Sequence, residues 1–114
     1  MIRGAIWIIN LDPTIGDEIQ KSRPAVIVNN NSLGILNLRI IAPITGWDNS
    51  FNNKSWFVKL EPDRTNGLTK DSAVDVFQIR SVSTKRFHRK IGEVSLLKLE
   101  EIENKLIAIL DLNI

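Results

Sequence analysis

The chain of 114 residues contains no cysteine, no tyrosine and only one histidine, His88. Without cysteine it has no disulfide, zinc finger, iron–sulfur cluster or thiol nucleophile. A single histidine also excludes a multi-histidine metal site and a pair of histidines that share acid–base work. The sequence therefore lacks most of the usual equipment of a hydrolase, which at first favours a binding module.

Long apolar runs and linkers are missing as well. The first apolar run, residues 5–9, is too short for a signal peptide or for the roughly 20 apolar residues of a membrane helix. No repeat or low-complexity tract divides the chain, and 43% hydrophobic with 25% charged residues is typical of a globular protein. We therefore expect one domain over residues 1–114, located in the cytoplasm and without a membrane contact.

Short β-branched and apolar runs come first in the chain, and one helical pattern comes last. The runs predict strands at residues 5–9, 24–28, 38–44, 56–60 and 72–79, with a short sixth at 91–94. After Ser95, a good N-cap, apolar residues recur at three- and four-residue spacing at Leu99, Ile102, Leu106, Ile109 and Leu110. The pattern predicts a mainly β fold, a partly open barrel of five to six strands with a C-terminal amphipathic helix.

The formal net charge of +2 conceals a strong polarity along the chain. Residues 1–63 are neutral, residues 64–90 hold seven basic and two acidic side chains, and residues 91–114 hold two basic and five acidic ones. Such a distribution is typical of an anion-binding face beside a separate acidic surface, although a solvated charged surface would have the same composition.

Five segments in this order resemble the MazF/PemK family of toxin ribonucleases from bacterial toxin–antitoxin pairs. They are RGAIW at 3–7 running into LDPTIGDE at 11–18, SRPAVIVNN at 22–30, IAPIT at 41–45, KDSAV at 70–74, and QIRSV at 78–82 followed by KRF at 85–87 and IG at 91–92. The resemblance spans nearly the whole chain. It implies an SH3-like barrel with a C-terminal helix, a homodimer, and RNA cleavage without a metal or another cofactor.

Two positions depart from the family pattern. Ala5 stands where the family usually has Asp, and EIQKS at 18–22 replaces a glycine-rich stretch. Fewer glycines make this loop stiffer. We expect the change to affect base preference.

The resemblance assigns catalytic roles to Arg23 and Thr45. A guanidinium binds two phosphate oxygens and stabilises the charge that develops on a pentacoordinate phosphorus, while a threonine hydroxyl and backbone N–H hold a non-bridging oxygen. Glu18 is the best candidate for a general base on the 2′-hydroxyl or for orienting Arg23. The alternatives are a surface Arg23 paired with Glu18 or Asp17, and a Thr45 that only satisfies a turn.

Six further residues are predicted to bind RNA. Arg80 and Arg86 match family positions near the substrate groove, and Lys21 adds a positive charge to the first loop. Gln78 and Asn30 match positions where amides read base edges. Trp47 is a candidate for stacking a base, unless it and Phe51 form a cluster that fixes their loop. Trp7 and Trp56 are predicted to be core residues. The predicted RNA-binding residues are thus Lys21, Asn30, Trp47, Gln78, Arg80 and Arg86.

The resulting hypothesis is a metal-independent endoribonuclease that cleaves single-stranded RNA, leaving a 2′,3′-cyclic phosphate and a 5′-hydroxyl. The expected partners are RNA, a cognate antitoxin with a disordered acidic tail, and a second copy of the chain. Two alternatives stay open: a non-catalytic CcdB-like toxin that binds DNA gyrase, and an inactive dimeric interaction module of the same fold.

Overall fold

Seven antiparallel strands and one helix make up the fold. A computed structural model describes all residues, 1–114. In chain order the elements are β1 (Ala5–Asn10), β2 (Ser22–Ile27), β3 (Leu38–Gly46), β4 (Phe57–Leu60), β5 (Ser72–Asp75), β6 (Arg80–Ser83), β7 (Phe87–Glu93) and α1 (Leu96–Ile109).

The strands form one sheet in the order β4-β5-β3-β2-β1-β7, with β6 paired to β3. The nine-residue β3 is its centre, since it pairs with β2, with β6 through its first half and with β5 through its second half. No ladder joins β4 to β7, so the sheet bends strongly without closing. The predicted fold class, a mainly β open barrel with a C-terminal helix, is confirmed.

Both faces of the sheet are covered, which explains the continuous apolar runs in its central strands. In β2, Val26 belongs to a larger core beneath α1, whereas Ala25 and Ile27 belong to a second core on the opposite face. The same alternation in β3 sends Ala42 to the larger core and Ile41 to the second. Each face therefore carries its own packed layer.

The helix α1 begins as predicted, because the Ser95 hydroxyl accepts a hydrogen bond from the backbone N–H of Lys98 at 3.2 Å. Leu99 and Ile102 are buried in the larger core, with Leu106 and Ile109 at its margin. The prediction that Leu110 shares this face is wrong. The helix ends at Ile109, and Leu110 turns outward with 53% of its surface exposed.

The predicted strand at residues 72–79 is wrong in its second half. The Asp75 side chain accepts a hydrogen bond from the backbone N–H of Phe77 at 3.2 Å and begins a 3-10 turn, Val76–Gln78, that ends β5. Two further strand regions were missed. No strand was predicted at β6, whose only buried residue is Val82, and β7 begins four residues before its predicted start. The seven observed strands therefore exceed the predicted five to six.

A close backbone crossing holds the β4–β5 connection against β7. The N–H of Glu93 donates to the carbonyl of Thr65 at 2.9 Å. A Cβ atom added to Gly92 would clash with the backbone of Thr65 and Asn66, and one added to Gly67 would clash with the backbone of Ile91. Both positions therefore require glycine.

The buried Asp75 makes stability depend on pH. Burial raises the pKa of its carboxyl, and hydrogen bonds from the backbone of Gln78 and Phe77 offset this only in part. The folded protein thus binds this proton more tightly than the unfolded chain, and Asp75 costs stability as the pH rises through its folded pKa. Asp75→Asn keeps an acceptor oxygen. We expect it to raise the free energy of unfolding in urea at pH 7, with no gain below the ordinary carboxyl pKa.

Asp63 provides a control of opposite sign. Hydrogen bonds from the backbone N–H groups of Thr65 and Asn66 lower the pKa of its carboxyl. Asp63→Asn should therefore reduce stability at neutral pH, with the deficit shrinking as the pH falls through the carboxyl range. Equal pH profiles for the two variants would contradict this account.

Candidate nucleic-acid interface and active site

Arg23 and Thr45 lie on neighbouring strands, β2 and β3, on the same face of the sheet. The β2–β3 ladder ends at the pair Ala25–Pro43, and Arg23 and Thr45 each lie two residues beyond that pair, where Arg23 pairs with Ile9 of β1 and Thr45 with Ala73 of β5. Alternate residues of a strand point to the same face, so Arg23 shares the face of Ala25 and Thr45 shares the face of Ile41. Ala25 and Ile41 both belong to the second core. The two catalytic candidates, 22 residues apart in the chain, thus lie beyond the same end of the β2–β3 ladder.

The first loop, residues 11–21, covers this face next to Arg23. Leu11 is buried in the second core and Ile19 packs against it. The Arg23 Nε donates to the carbonyl of Gln20 at 3.1 Å, and the chain offers the guanidinium's two terminal nitrogens no hydrogen bond. The three ion pairs of the protein do not involve Arg23, so it is not the surface partner of Glu18 or Asp17.

Three of the predicted RNA-binding side chains hold the backbone of the first loop. The Gln78 amide accepts from the N–H of Ile19 at 2.7 Å and donates to the carbonyl of Asp17 at 3.1 Å. Arg80 donates to the carbonyl of Leu11 at 3.1 Å. Arg86 donates to the carbonyl of Asn10 at 3.2 Å and to that of Asp12. These residues therefore shape the loop, whatever contacts they also make with RNA.

Glu18 and Lys21 lie within the same loop, and both are exposed. A Glu18 carboxylate oxygen accepts from the N–H of Ile15 at 2.8 Å and does not contact Arg23. Lys21 adopts a φ of 69°, and its N–H donates to the Asp12 carboxylate at 3.0 Å. A lysine in the left-handed region is uncommon, which shows that the loop is tightly constrained at Lys21, as it also is at its one glycine, Gly16, with a φ of 58°.

Asn30 lies at the far end of β2 from Arg23. Its side-chain oxygen accepts from the N–H of Ser32 at 2.9 Å and begins the short 3-10 turn Asn31–Leu33. Since a strand advances about 3.3 Å per residue, the intervening chain separates Asn30 from Arg23 within one copy of the protein. Asn30 therefore lies apart from Arg23 and the first loop.

Trp47 and Phe51 form the aromatic cluster that was the alternative to base stacking. Their rings meet edge to face at 5.6 Å, and Phe51 stacks on Phe57 at 3.9 Å. The Lys59 ammonium lies 5.0 Å from the Trp47 ring centre. Trp47 keeps partial exposure, so the prediction that it binds RNA stands beside this structural role.

The prediction that Trp7 and Trp56 are core residues is only half right. Trp7 is half-buried against the second core, where it meets Phe87 edge to face at 5.6 Å. Trp56 belongs to neither core and extends the aromatic cluster, with Phe57 at 5.7 Å and Phe77 at 6.5 Å. Flat rings at the sheet surface stabilise each other there without full burial.

Sequence reasoning missed Phe77, which was assigned to a strand. It is 67% exposed and lines a cavity of about 510 Å³ beside the first loop. A second cavity of about 530 Å³ opens at the end of the barrel near Pro24, with three basic residues in its wall: Lys70, Arg89 and Lys90. The exposed aromatic had no signal in the sequence, because a turn rather than a strand presents it.

The Gln78 clamp can be tested by amide hydrogen exchange. Gln78→Ala removes the acceptor of the Ile19 N–H, and we expect this amide to exchange about fivefold faster, in line with about 1 kcal/mol per lost hydrogen bond. Gln20→Ala is the matched control, since the Gln20 side chain makes no hydrogen bond and only its carbonyl is used. Unchanged exchange at Ile19 in Gln78→Ala would show that the clamp is not maintained in solution.

Comparison with known proteins identifies the family. The model of a family described as PemK-like, MazF-like toxin of type II toxin-antitoxin system matches residues 2–110. The chain belongs to this toxin family. Within this family, the chain is 35% identical to Endoribonuclease MazF9 of Mycobacterium tuberculosis, in an alignment of 118 positions that covers 98% of each protein. It is 30% identical to Endoribonuclease PemK of Escherichia coli, over 78% of this chain and 69% of that protein.

Solved structures of MazF-type toxins share the fold. MazF from Deinococcus radiodurans superposes with a TM-score of 0.80 at 22% identity, over 98% of this chain and 97% of that one. An endoribonuclease in complex with its cognate antitoxin, from a mycobacterial species, gives a TM-score of 0.79 at 19% identity, over 100% and 98%. No helix of the present chain is long and apolar enough to cross a membrane.

Proposed function

We propose that this protein is the toxin of a type II toxin–antitoxin pair and a sequence-selective endoribonuclease that cleaves single-stranded RNA. The observation that carries the proposal is that Arg23 and Thr45 lie beyond the same end of the β2–β3 ladder, next to a loop that leaves the end of the Arg23 guanidinium unpaired. The relative MazF9, aligned over 98% of the chain, is named an endoribonuclease. The whole chain, residues 1–114, acts as one domain in the cytoplasm.

The substrate supplies the nucleophile in the proposed reaction. The 2′-hydroxyl loses its proton to a base, for which Glu18 is the candidate, and its oxygen bonds to the adjacent phosphorus. The bond from phosphorus to the 5′-oxygen then breaks, and that oxygen takes up a proton from solvent. The products are a 2′,3′-cyclic phosphate and a 5′-hydroxyl, so no metal or other cofactor is required.

Arg23 and Thr45 act on the phosphate in this scheme. As negative charge grows on the non-bridging oxygens, the Arg23 guanidinium donates hydrogen bonds to them and lowers the barrier. The Thr45 hydroxyl holds one of these oxygens in place. Glu18 must give up its hydrogen bond with the Ile15 N–H, or use its second oxygen, to act as the base.

Binding of the RNA chain is assigned to the basic and polar residues around the first loop. Lys21 is exposed and free to meet a phosphate, whereas Arg80, Arg86 and Gln78 contribute through the loop they hold. Trp47 offers a partly exposed ring. Asn30 reaches the substrate only if a second copy of the chain brings it there.

A second copy is proposed to bind an apolar patch at the end of the barrel that holds the chain's N-terminus. Arg39 ties this region together, donating to the carbonyls of Met1 at 3.2 Å and Leu36 at 2.6 Å. Exposed apolar side chains of this size in one region are typical of an interface. The exposed members are Met1, Ile2, Leu33, Ile35, Leu36, Leu38 and Ile40.

The proposed antitoxin has a disordered acidic tail that folds over the basic surface of the toxin. Residues 64–90, with seven basic and two acidic side chains, supply this surface. One solved structure with the same fold is of an endoribonuclease in complex with its cognate antitoxin. A CcdB-like gyrase inhibitor is not favoured, since the family model matches residues 2–110 of the chain.

Incubation with a long single-stranded RNA tests the proposed function. We expect discrete fragments with 5′-hydroxyl and 2′,3′-cyclic phosphate ends, formed equally in the presence of EDTA. A 2′-deoxy substitution at the scissile nucleotide should block the cut, because it removes the nucleophile. Intact RNA would refute the nuclease assignment, and cleavage that EDTA stops, or that also cuts the 2′-deoxy substrate, would refute the mechanism.

A further inference from the structure

Phe77 is an aromatic ring held at the protein surface by rigid supports. It is 67% exposed, yet it lies in the 3-10 turn Val76–Gln78, whose first N–H groups are fixed by the buried Asp75. Trp56 supports the ring edge to face at 6.5 Å. Single exposed apolar side chains are common, but Phe77 is the exposed end of a continuous row of aromatic rings, and a contiguous apolar patch at the surface points to a ligand.

Phe77 also lines a smaller cavity, separate from the one of about 510 Å³, which has one aromatic wall and one free carboxylate. It measures about 400 Å³ and is lined by Asp17, Trp56, Asp75, Phe77 and Gln78. The Asp75 carboxylate is engaged by the Phe77 N–H, and the Gln78 amide is engaged by the backbone of the first loop. The Asp17 side chain accepts no hydrogen bond and forms no ion pair, although its carbonyl is used by Gln78.

The cavity itself is lined by Asp17 and Asp75, and it is the charges along the adjoining aromatic row that favour RNA over a cationic peptide. Aromatic rings continue from Phe77 and Trp56 through Phe57 and Phe51 to Trp47, two residues beyond Thr45. Lys54 and Lys59 lie over this row at 5.6 and 5.0 Å from the Phe51 and Trp47 rings. Ammonium groups attract phosphates and repel an arginine or lysine side chain, and aromatic rings stack unpaired bases.

Among the four bases, guanine best complements a carboxylate at the edge of a stacking site. Its Watson–Crick edge presents two adjacent N–H donors, N1 and N2, which match the two oxygens of one carboxylate as an arginine fork does. Cytosine and adenine place an acceptor nitrogen beside their amino group, and uracil flanks its single N–H with two carbonyls. Each of these acceptors would face the negative oxygens.

Resting on the proposed function, we infer that this cavity binds one unpaired guanine of the substrate, stacked on Phe77 and hydrogen-bonded through its Watson–Crick edge to the Asp17 carboxylate. The aromatic row connects this base to the end of β3 that holds Thr45. The guanine therefore lies at a fixed position relative to the scissile phosphate. Phe77 and Asp17 determine sequence preference and take no part in the bond breaking.

Two readouts test the inference independently of each other. In the first, a random RNA pool is cleaved and the bases around each cut are counted. The wild-type protein should show guanine enriched at one fixed position, and Asp17→Asn should reduce that enrichment about tenfold while other positions keep theirs. In the second, binding to short oligouridylates that carry one guanosine is measured by fluorescence anisotropy, which does not depend on cleavage.

Variants of Phe77 separate stacking from folding. Phe77→Leu keeps an apolar side chain, and it should weaken binding of the guanosine-containing oligomer by about tenfold, within the range found for loss of one stacked base. Phe77→Trp should retain or improve binding. Asp71→Asn is the matched control for Asp17→Asn, because Asp71 is also exposed and its side chain makes no hydrogen bond.

The possible outcomes are distinct. If the RNA stays intact but guanosine-dependent binding requires Phe77 and Asp17, the nuclease proposal is wrong and the cavity assignment is supported. Cleavage with no guanine preference, or with a preference that survives Asp17→Asn and Phe77→Leu, would overturn the cavity assignment alone. If these variants lose affinity for the antitoxin but keep that for RNA, the cavity binds a protein side chain and the inference is wrong.

Discussion

Arg23→Ala is expected to lower kcat/KM for RNA cleavage by about a thousandfold or more. Removing one positioned hydrogen-bond donor from a site of developing negative charge lowers the rate by about a hundred- to a thousandfold. Removing an arginine from a phosphoryl-transfer site lowers it by about a thousand- to a hundred-thousandfold. The Arg23 side chain makes only one hydrogen bond within the protein, to the carbonyl of Gln20. The variant should therefore keep the fold and the thermal unfolding midpoint of the wild-type protein.

Two companion variants sharpen this measurement. Arg64→Ala removes an equal charge from an arginine that makes no hydrogen bond or ion pair, and it should leave cleavage within a few fold of wild type. Arg23→Lys keeps the charge but loses the planar fork, and it should recover only part of the rate. Near-normal cleavage by Arg23→Ala would remove this residue from the site.

Gly92→Ala is expected to lower the free energy of unfolding by about 3 kcal/mol or more. The new Cβ would overlap the backbone of Thr65 and Asn66, and a backbone cannot yield as a side chain does. Asn66 is itself buried, and its side-chain amide donates to the carbonyl of Glu61 at 2.8 Å. The backbone at the crossing therefore cannot move away from the added Cβ. Urea denaturation monitored by tryptophan fluorescence gives the change directly.

Gly46→Ala is the matched control for this prediction. Gly46 is also in a strand with an ordinary φ, but its added Cβ would meet only the flexible end of Lys70. We expect a loss well below that of Gly92→Ala. Equal losses in the two variants would attribute the effect to glycine in strands generally instead of the crossing.

Sequence patterns predicted the elements that bury apolar side chains. The runs that became β1, β2, β3 and β4, and the helix after Ser95, all have one or both faces against a core, and this gives them their periodicity. β6 and most of β7 were missed because their residues are mainly polar or exposed. Their positions depend on pairing with β3 and β1, which no local pattern reveals.

The candidate site was predictable only in part, for a similar reason. Residue types and the family resemblance indicated Arg23, Thr45 and the basic residues, but they did not indicate what those side chains contact. Gln78, Arg80 and Arg86 bond to loop carbonyls and N–H groups from residues 10–19, and backbone groups have no residue-type signature. The exposure of Phe77 likewise follows from the turn that Asp75 begins.

The contacts that hold the first loop also determine when the site forms during synthesis. The loop belongs to the first fifth of the chain, but its anchors are residues 78, 80 and 86, and β7 pairs with β1 across nearly the whole length of the protein. The larger core is completed only by Leu99 and Ile102 of the helix. A nascent chain consequently carries Arg23 long before it contains the residues that shape the site around it.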